Sequence, residues 1–205
     1  MEEFQANNHV FLRGVPLSAP QFSHEARSER FYQFPLEVYR LSGVSDTVNI
    51  ISREELLDKL TPDGESRLCV DGELRSFNNR SGTGPKLVIT VFAKEMWFDD
   101  GDDENSVELI GTICKNPNLR TTPMGREICD LMIAVNRKYG RSDYLPCISW
   151  GMNARECARW SVGDGVELSG RIQSRRYTKN VDGELQEKTA YEVSVIDIAP
   201  RKTDT

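Results

Sequence analysis

The 205-residue chain has few of the residues on which metal binding, secretion or membrane insertion depends. It contains only two histidines, His9 and His24, and its five cysteines form no Cys-x-x-Cys pair. Zinc sites need four such ligands in a recognisable constellation, so we expect no metal and no other cofactor. No apolar run approaches the roughly 20 residues that cross a bilayer. The opening, MEEFQANNHV, lacks the apolar core of a secretory signal, which favours a cytoplasmic protein with no membrane partner.

Catalytic constellations are also missing. Paired carboxylates, a Ser/His/Asp set and a phosphate-binding loop do not occur at usable spacing. Both histidines lie in the first half of the chain, so general acid/base chemistry has few candidates. The cysteines stand among apolar residues and are typical of small core side chains. We therefore expect a protein that is not an enzyme.

Positive charge is scarce in the chain as a whole. The net charge is −6, which at first argues against a nucleic-acid partner, because phosphate binding usually leaves a basic footprint. The average hides a split. Residues 1–104 hold 11 Lys/Arg and 19 Asp/Glu, a balance of −8, whereas residues 105–205 hold 15 and 13, a balance of +2. The second half is the candidate anion binder.

The chain does contain an internal repeat. At an offset of 97 residues, Asn8-x-Val-x-Leu-x-Gly14 falls on Asn105-x-Val-x-Leu-x-Gly111. The match continues without a gap to GVSDTVNIIS at residues 43–52 and GRSDYLPCIS at residues 140–149. Such a fixed offset indicates a duplicated module of about 100 residues.

Each copy has the pattern of strands with one helix. Alternating apolar residues at 34–38 and 131–135 predict half-buried strands. Ser52 and Asn153 are each followed three residues later by Glu, which predicts capped helix starts. Three strands, a helix and two more strands are the order of the OB fold. The sequence therefore predicts an all-β protein, with one short helix per module, made of two tandem five-stranded OB-fold barrels.

The domain boundary is predicted at the acidic run FDDGDDE, which suits a solvated linker. The first module then covers residues 1–97 and the linker residues 98–104. The second module covers residues 105–199, and residues 200–205 form a short tail.

The second copy resembles the bacterial single-stranded DNA-binding proteins over nearly its whole length. The resemblance is carried by the Asn-x-Val-x-Leu-x-Gly opening, NPNLRTTPMGREI, LMIAVNR, CISWG and GRIQSRRYTK, in that order. It implies single-stranded DNA binding without strong sequence preference, a role in replication, recombination or repair, and a nucleoid-associated location. Tandem members with two barrels per chain exist, and the resemblance implies a homodimer that presents four barrels.

Matching the second copy to this family residue by residue implies four stacking aromatics. Taken alone, Trp150 is at least as typical of a core position, whereas its companions lie in loops or among polar residues. The four positions are Tyr139, Tyr144, Trp150 and Tyr177.

The same match implies a set of phosphate-contacting cations. Without the aromatics, Arg175 and Arg176 would be interpreted only as part of a solvated face. The positions are Arg120, Arg171, Arg175, Arg176 and Lys179.

The first copy departs from this pattern. The aromatic positions of the second copy correspond in the first to Ser42, Thr47, Arg53 and a place near Asn79. With their balance of −8, residues 1–104 also lack an electrostatic reason to hold a strand. We hypothesise that residues 1–97 mainly support assembly and that residues 105–198 bind most of the DNA.

The chain ends APRKTDT, without the acidic tail and apolar tip by which many bacterial relatives recruit replication and repair proteins. Recruitment of such partners through a tail of that kind is therefore not expected. The alternative function is a primosome or replisome protein of OB fold with weak DNA binding, whose acidic first copy docks partners.

Overall fold

The computed structural model describes residues 7–60, 66–79, 87–137, 140–181 and 184–201, and within these ranges it consists of β-strands and two short helices. None of the helices in the described part of the chain has the length and apolarity needed to cross a membrane.

The first repeat forms a five-stranded barrel with an additional short strand. Its elements are β1 (Asn8–Pro16), β2 (Gln21–Ala26), β3 (Glu29–Tyr39), β4 (Ser45–Arg53), α1 (Glu54–Asp58), β5 (Arg67–Asn78) and β6 (Leu87–Asp99).

Antiparallel pairing joins β1 to both β3 and β5, and β3 to β4. The parallel pair β4–β6 and the neighbouring strands β6 and β5 close the ring. Along the strands, buried residues alternate with half-exposed ones, as in Val48 and Ile50 of β4. Apolar residues therefore fill the interior of the barrel, as period-two strands require.

The second repeat has the same pairing scheme. Its elements are β7 (Glu104–Ile113), β8 (Asn118–Thr121), β9 (Glu127–Asn136), β10 (Ser142–Trp150), α2 (Gly151–Cys157), β11 (Gly165–Val181) and β12 (Glu184–Pro200). Strand β7 pairs with β9 and β11, β9 with β10, β10 in parallel with β12, and β12 with β11. The prediction of two five-stranded barrels is confirmed.

One strand per repeat lies outside the predicted order. Strands β2 and β8 pair with β3 and β9, respectively. Their side chains are almost all exposed. Because they bury no apolar face, no hydrophobic alternation marks them in the sequence.

The predicted helix caps are wrong. Ser52 is still part of β4, where its hydroxyl donates to the carbonyl of Arg53 at 3.0 Å. Asn153 lies inside α2 and donates to the carbonyl of Ile196 at 3.3 Å. Both helices begin directly where the strand ladder ends, so the residue before the helix is held by strand pairing rather than by a side-chain cap.

The Gly of the shared opening motif allows the barrel to close. At Gly14, a Cβ atom would lie 2.1 Å from the carbonyl oxygen of Glu37. At Gly111, it would lie 2.7 Å from the carbonyl oxygen of Ala134. In each repeat the first strand therefore approaches the third too closely for any side chain.

The Asp of the shared Gly-x-Ser-Asp block is buried in each repeat, where it forms an ion pair with an Arg six residues earlier in the chain. Asp46 is fully buried and accepts two hydrogen bonds of 2.6 Å from Arg40. Asp143 is equally buried and accepts the same pair of bonds from Arg137. The two pairs are separated by the repeat offset, so the block is a common structural element of both barrels.

The cysteines are reduced, and four of the five are buried. Burial raises the pKa of Cys129 to about 11 and raises that of Cys147 further. Thiols of this kind are poor nucleophiles at neutral pH, in agreement with their interpretation as core side chains.

The chain separates into two compact units. The first unit consists of His9–Arg75 and Ile89–Ser106, and the second of Met1–Asn8, Ser76–Val88 and Val107–Thr205. These units do not follow the predicted boundary of residues 98–104, because the end of β5 and the start of β6 group with the second repeat. The division into residues 1–97, 105–199 and 200–205 stays a prediction based on the repeat.

The acidic run before β7 is not solvated throughout. The side chain of Asp103 is almost fully buried; it forms an ion pair with Arg67 and accepts a hydrogen bond of 2.6 Å from the backbone N–H of Tyr39. Arg13 lies between Asp99 and Glu104, at 3.5 Å from each. Arg67 and Arg13 therefore hold the acidic run in place. The composition of the run alone does not reveal these contacts.

Candidate nucleic-acid interface

The candidate interface is the outer face of strands β8, β9, β10, β12 and β11, which are neighbours in that order. We call it the second-repeat face. Register places Arg120 opposite Ile128, and Ile128 opposite Trp150. On the other side, Ile148 lies beside Ser194, and Ser194 is opposite Arg171. Side chains from strands distant in sequence therefore share one surface.

Two of the predicted aromatics lie on this face. In β10, residues 143, 145, 147 and 149 are buried, so the even-numbered residues point outward. Tyr144 is 51% exposed. Trp150 is partly buried, and its indole N–H donates to the hydroxyl of Ser194 at 3.3 Å. One edge of this indole is thus fixed within the sheet surface.

The spacing of these two aromatics decides what they can hold. Trp150 follows Tyr144 by six positions along the strand, which corresponds to roughly 20 Å at about 3.3 Å per residue. One base cannot stack on both rings. The face therefore offers two separate stacking positions along β10.

Three of the predicted cations share the face: Arg120, Arg171 and Arg175. Arg120 donates to Asp130 from Nε at 2.5 Å and from Nη2 at 3.0 Å, and this pairing raises the pKa of the guanidinium. The Nε atom of Arg171 is buried and has no hydrogen-bond partner among the described atoms. Arg175 follows four residues later on the same side of β11, and it is exposed.

Of the remaining predicted residues, Arg176 is the one whose side chain the structure describes. Arg176 is exposed but points to the opposite side of β11 from Arg175, by the alternation of a strand. Tyr139 lies outside the described residues. The backbones of Tyr177 and Lys179 belong to β11, opposite Lys188 and Gln186, and their side chains lie outside the description.

A buried carboxyl on the same face was missed by sequence reasoning. Glu192 is 8% exposed, lies opposite Gln173 and accepts a hydrogen bond from its amide at 3.2 Å. Burial raises the pKa of Glu192; Asp130 adds to the rise and Arg175 opposes it. Val193 and Val195 are core residues, so the alternation of the strand puts Glu192 on the outer face. Nothing in the sequence indicates that residues of other strands cover this carboxyl.

A residue of the first repeat positions the predicted aromatic Tyr144. Ser76, at the end of β5, belongs to the same compact unit as β10. Its hydroxyl accepts a hydrogen bond of 2.7 Å from the backbone N–H of Tyr144. Its own N–H donates to Asp143 at 2.6 Å, and its carbonyl accepts from Arg137 at 3.1 Å. Sequence reasoning confined each site to one repeat and so could not find this contact.

Metal-binding groups are not evident on this face or elsewhere in the described ranges. No cluster of three or more His, Cys, Asp or Glu side chains that could hold a metal ion occurs among those residues. The chemistry that the face can offer is stacking, hydrogen bonding and ion pairing.

Comparison with known proteins gives a family match over the second repeat. The model of the single-strand binding protein family matches residues 104–200. Single-stranded DNA-binding protein B of Bacillus subtilis is 34% identical over 107 residues, which are 48% of this chain and 95% of that protein. The single-stranded DNA-binding protein of Clostridium tetani is 36% identical over 80 residues, 36% of this chain and 55% of that protein. The chain thus spans just over half of the latter relative.

Solved structures extend the likeness to both repeats. The crystal structure of wild-type single-stranded DNA binding protein from Thermus aquaticus has a TM-score of 0.76 and 21% sequence identity. It covers 97% of this chain and 94% of that one. At this identity the likeness concerns the fold, and it supports a two-barrel arrangement for the whole chain.

Proposed function

Since the chain belongs to the single-strand binding protein family, we propose that it binds single-stranded DNA without strong sequence preference and catalyses no reaction. The second-repeat face carries most of the affinity. Bases stack on Tyr144 and Trp150, and phosphates meet Arg120, Arg171 and Arg175. Tyr139, Tyr177, Lys179 and Arg176 extend the contact from the loop and the β11–β12 hairpin.

The observation that carries this proposal is the common placement of Tyr144 and Trp150 on one barrel face with three arginines. Sequence-tolerant binding needs aromatic planes for bases and cations for the backbone, and each stack is worth about 1–3 kcal/mol. Asp130 and Glu192 reduce the positive charge of the face. Stacking therefore supplies a larger share of the affinity than the number of arginines suggests.

We further propose a role in DNA replication, recombination or repair, in the cytoplasm and associated with the nucleoid. The assembly is a homodimer that presents four barrels, and replication or repair proteins are its candidate partners. Light scattering of the full chain tests the assembly, because a monomeric mass would refute the dimer.

The test of the binding mode is the double variant Tyr144→Ala/Trp150→Ala, titrated with an oligothymidine. Each substitution should weaken binding roughly 5- to 160-fold, the equivalent of one lost stack. Tyr39→Ala is a matched control, because Tyr39 is equally exposed but lies on a hairpin end of the first repeat.

Unchanged affinity in the double variant, or only micromolar affinity of the parent protein at low salt, would refute this mode. Either result would favour an interaction protein with weak DNA binding. A salt series on the parent protein counts the phosphate contacts, since the log–log slope for single strands is about −0.7 per contact.

A further inference from the structure

Ser76 lies near the end of β5, in the part of this first-repeat strand that belongs to the compact unit of the second repeat. It is 7% exposed, and a hydroxyl that is buried to this extent normally has a hydrogen-bond partner. That partner is the backbone N–H of Tyr144, at 2.7 Å. A buried group of the first repeat is therefore bonded to a residue on which bases are proposed to stack.

The place of Tyr144 in the sheet explains why this bond matters. On one side of β10, Tyr144 lies opposite Ala134 of β9. On the other side, β12 pairs with β10 in the described strands at Cys147 and Ile148, further along the strand. Ser76 thus supplies to the Tyr144 N–H the acceptor that a neighbouring strand supplies elsewhere in a sheet.

The backbone of Ser76 holds the residue that precedes Tyr144. Its N–H donates to the carboxylate of Asp143 at 2.6 Å, and its carbonyl accepts from the guanidinium of Arg137 at 3.1 Å. Asp143 is itself fully buried and paired with Arg137. One residue of β5 therefore constrains both the charge pair and the backbone at the start of β10.

A second first-repeat segment reaches the same hairpin. The side-chain amide of Asn7 donates to the carbonyl of Asn136 at 2.6 Å, and its own carbonyl accepts from the N–H of Ile110 at 2.8 Å. Asn136 lies opposite Ser142, at the base of the β9–β10 hairpin. Two separate segments of the first repeat therefore hold the hairpin from which Tyr144 projects.

The exposure of Tyr144 makes its ring dependent on this backbone support. Tyr144 is 51% exposed, so about half of its side chain has no protein packed against it. In a strand, the backbone sets the direction of the Cα–Cβ bond and hence the place of the ring. A ring that is in place before DNA arrives avoids the cost of ordering it on binding.

We propose that Ser76 is a positioning residue for the stacking position at Tyr144, through which the first repeat raises the DNA affinity of the second without contacting DNA at this point. This inference rests on the proposed function. It means that residues 105–198 do not form a complete binding module, because one of their stacking aromatics is held by a strand of the first repeat.

The test is a double-mutant cycle of Ser76→Ala and Tyr144→Ala in the full chain, titrated with an oligothymidine. Ser76→Ala removes the hydroxyl acceptor and retains both backbone bonds of residue 76. Alone, it should weaken binding by about 2-fold or more but by less than Tyr144→Ala, because a complete stack accounts for roughly 5- to 160-fold. In the Tyr144→Ala background it should have no effect, since no ring is left to position.

Ser45→Ala is the matched control. It removes a side-chain hydrogen bond of 2.8 Å to Glu37 within the first compact unit, and it should leave the affinity unchanged in both backgrounds. Circular dichroism verifies that each variant is folded.

Amide hydrogen exchange, followed by NMR, tests the contact itself. In the unsubstituted chain the Tyr144 amide should exchange as slowly as the paired amides of β10, and in Ser76→Ala it should exchange faster. A rapidly exchanging Tyr144 amide in the unsubstituted chain overturns the inference without the need for any variant.

The outcomes of the cycle separate this inference from the proposed function. Parent-like affinity of Ser76→Ala, together with a loss in Tyr144→Ala, overturns the inference and leaves the proposed function standing. Equal losses from Ser76→Ala in both backgrounds also overturn it, because the effect then does not pass through the ring. If Tyr144→Ala binds as tightly as the parent protein, the stacking role of Tyr144 in the proposed function fails, and the inference fails with it.

Discussion

Strands β4 and β10 show how the two repeats have diverged. Their inward residues match in kind, with Asp46 and Asp143 at one end and Ser52 and Ser149 at the other, all buried. Their outward residues differ in chemical type: Thr47 of the first repeat corresponds to Tyr144 of the second, and Arg53 corresponds to Trp150. Because successive side chains of a strand point to opposite faces, a single strand can keep its barrel and exchange its binding surface independently.

The comparison also shows that the surroundings of one outward position differ between the repeats. In the first repeat, planar groups come from β2, β3 and β6, around the Arg53 that replaces a tryptophan. Position-by-position alignment of the two copies does not reveal these neighbours.

The largest effect should come from the buried pairs that both repeats share. Asp46→Asn and Asp143→Asn each leave a guanidinium with no carboxylate, and breaking a buried pair costs about 3–5 kcal/mol. We expect losses near the lower limit, because Arg40 and Arg137 keep some exposure. Urea unfolding followed by circular dichroism measures both.

Asp58→Asn, an exposed change on α1, is the control and should stay within about 0.5 kcal/mol of the parent protein. A marked loss in one repeat and none in the other would show that the pair is not a common structural element.

A smaller effect is expected at the barrel-closing glycines. Gly14→Ala and Gly111→Ala each force a methyl group against a neighbouring strand, and overpacking costs about 1–3 kcal/mol. Gly14→Ala should be the more harmful, since its contact of 2.1 Å is with backbone, whereas the nearest atom at Gly111 is the Ile133 side chain at 2.6 Å. The readout is the urea midpoint.

Gly165→Ala is the control for this pair, because its Cβ would meet its neighbours at 3.6 Å, an ordinary van der Waals distance. Equal stability of all three variants would mean that the strand crossing adapts to a methyl group, and that the repeated Gly has another cause.

The barrels could be predicted from sequence because their signals are local or repeated. Alternation at residues 34–38 and 131–135 marked core strands, and the 97-residue offset transferred each assignment to the other copy. Strands β2 and β8 could not be found, since a strand that buries nothing has no periodicity.

The site could be predicted only where one strand carries it. Tyr144 and Trp150 lie on β10, and alternation places them on one side. The support of Tyr144 by Ser76, the pairing of Arg120 with Asp130 and the stack of His24 on Phe31 all depend on strand register. Contacts across strands have no signature within either segment, so only the folded chain reveals them.

The smallest expected effect concerns Glu192, a buried position at which the outer faces of the two repeats differ. Glu192 precedes Ser194 by two residues, and Thr90 precedes Phe92 by two, so register makes Thr90 its counterpart. Burial raises the pKa of Glu192 in the folded protein. The stability that this group contributes is therefore fully present below the ordinary glutamate pKa and is lost as the pH rises through the raised value.

Glu192→Gln replaces the ionisable carboxyl by a neutral amide, so the variant does not lose this stability as the pH rises. We expect it to be more stable than the parent protein at pH 7, with a difference that shrinks as the pH approaches 4, in urea titrations across this range. Without a negative charge beside Arg175, its affinity for an oligothymidine should also rise roughly 1.4- to 5-fold, as for a partly screened charge worth about 0.2–1 kcal/mol. Glu187→Gln, an exposed change on the same strand, is the control. If both variants respond to pH alike, burial is not the cause, and the carboxyl does not distinguish the second-repeat face from its counterpart.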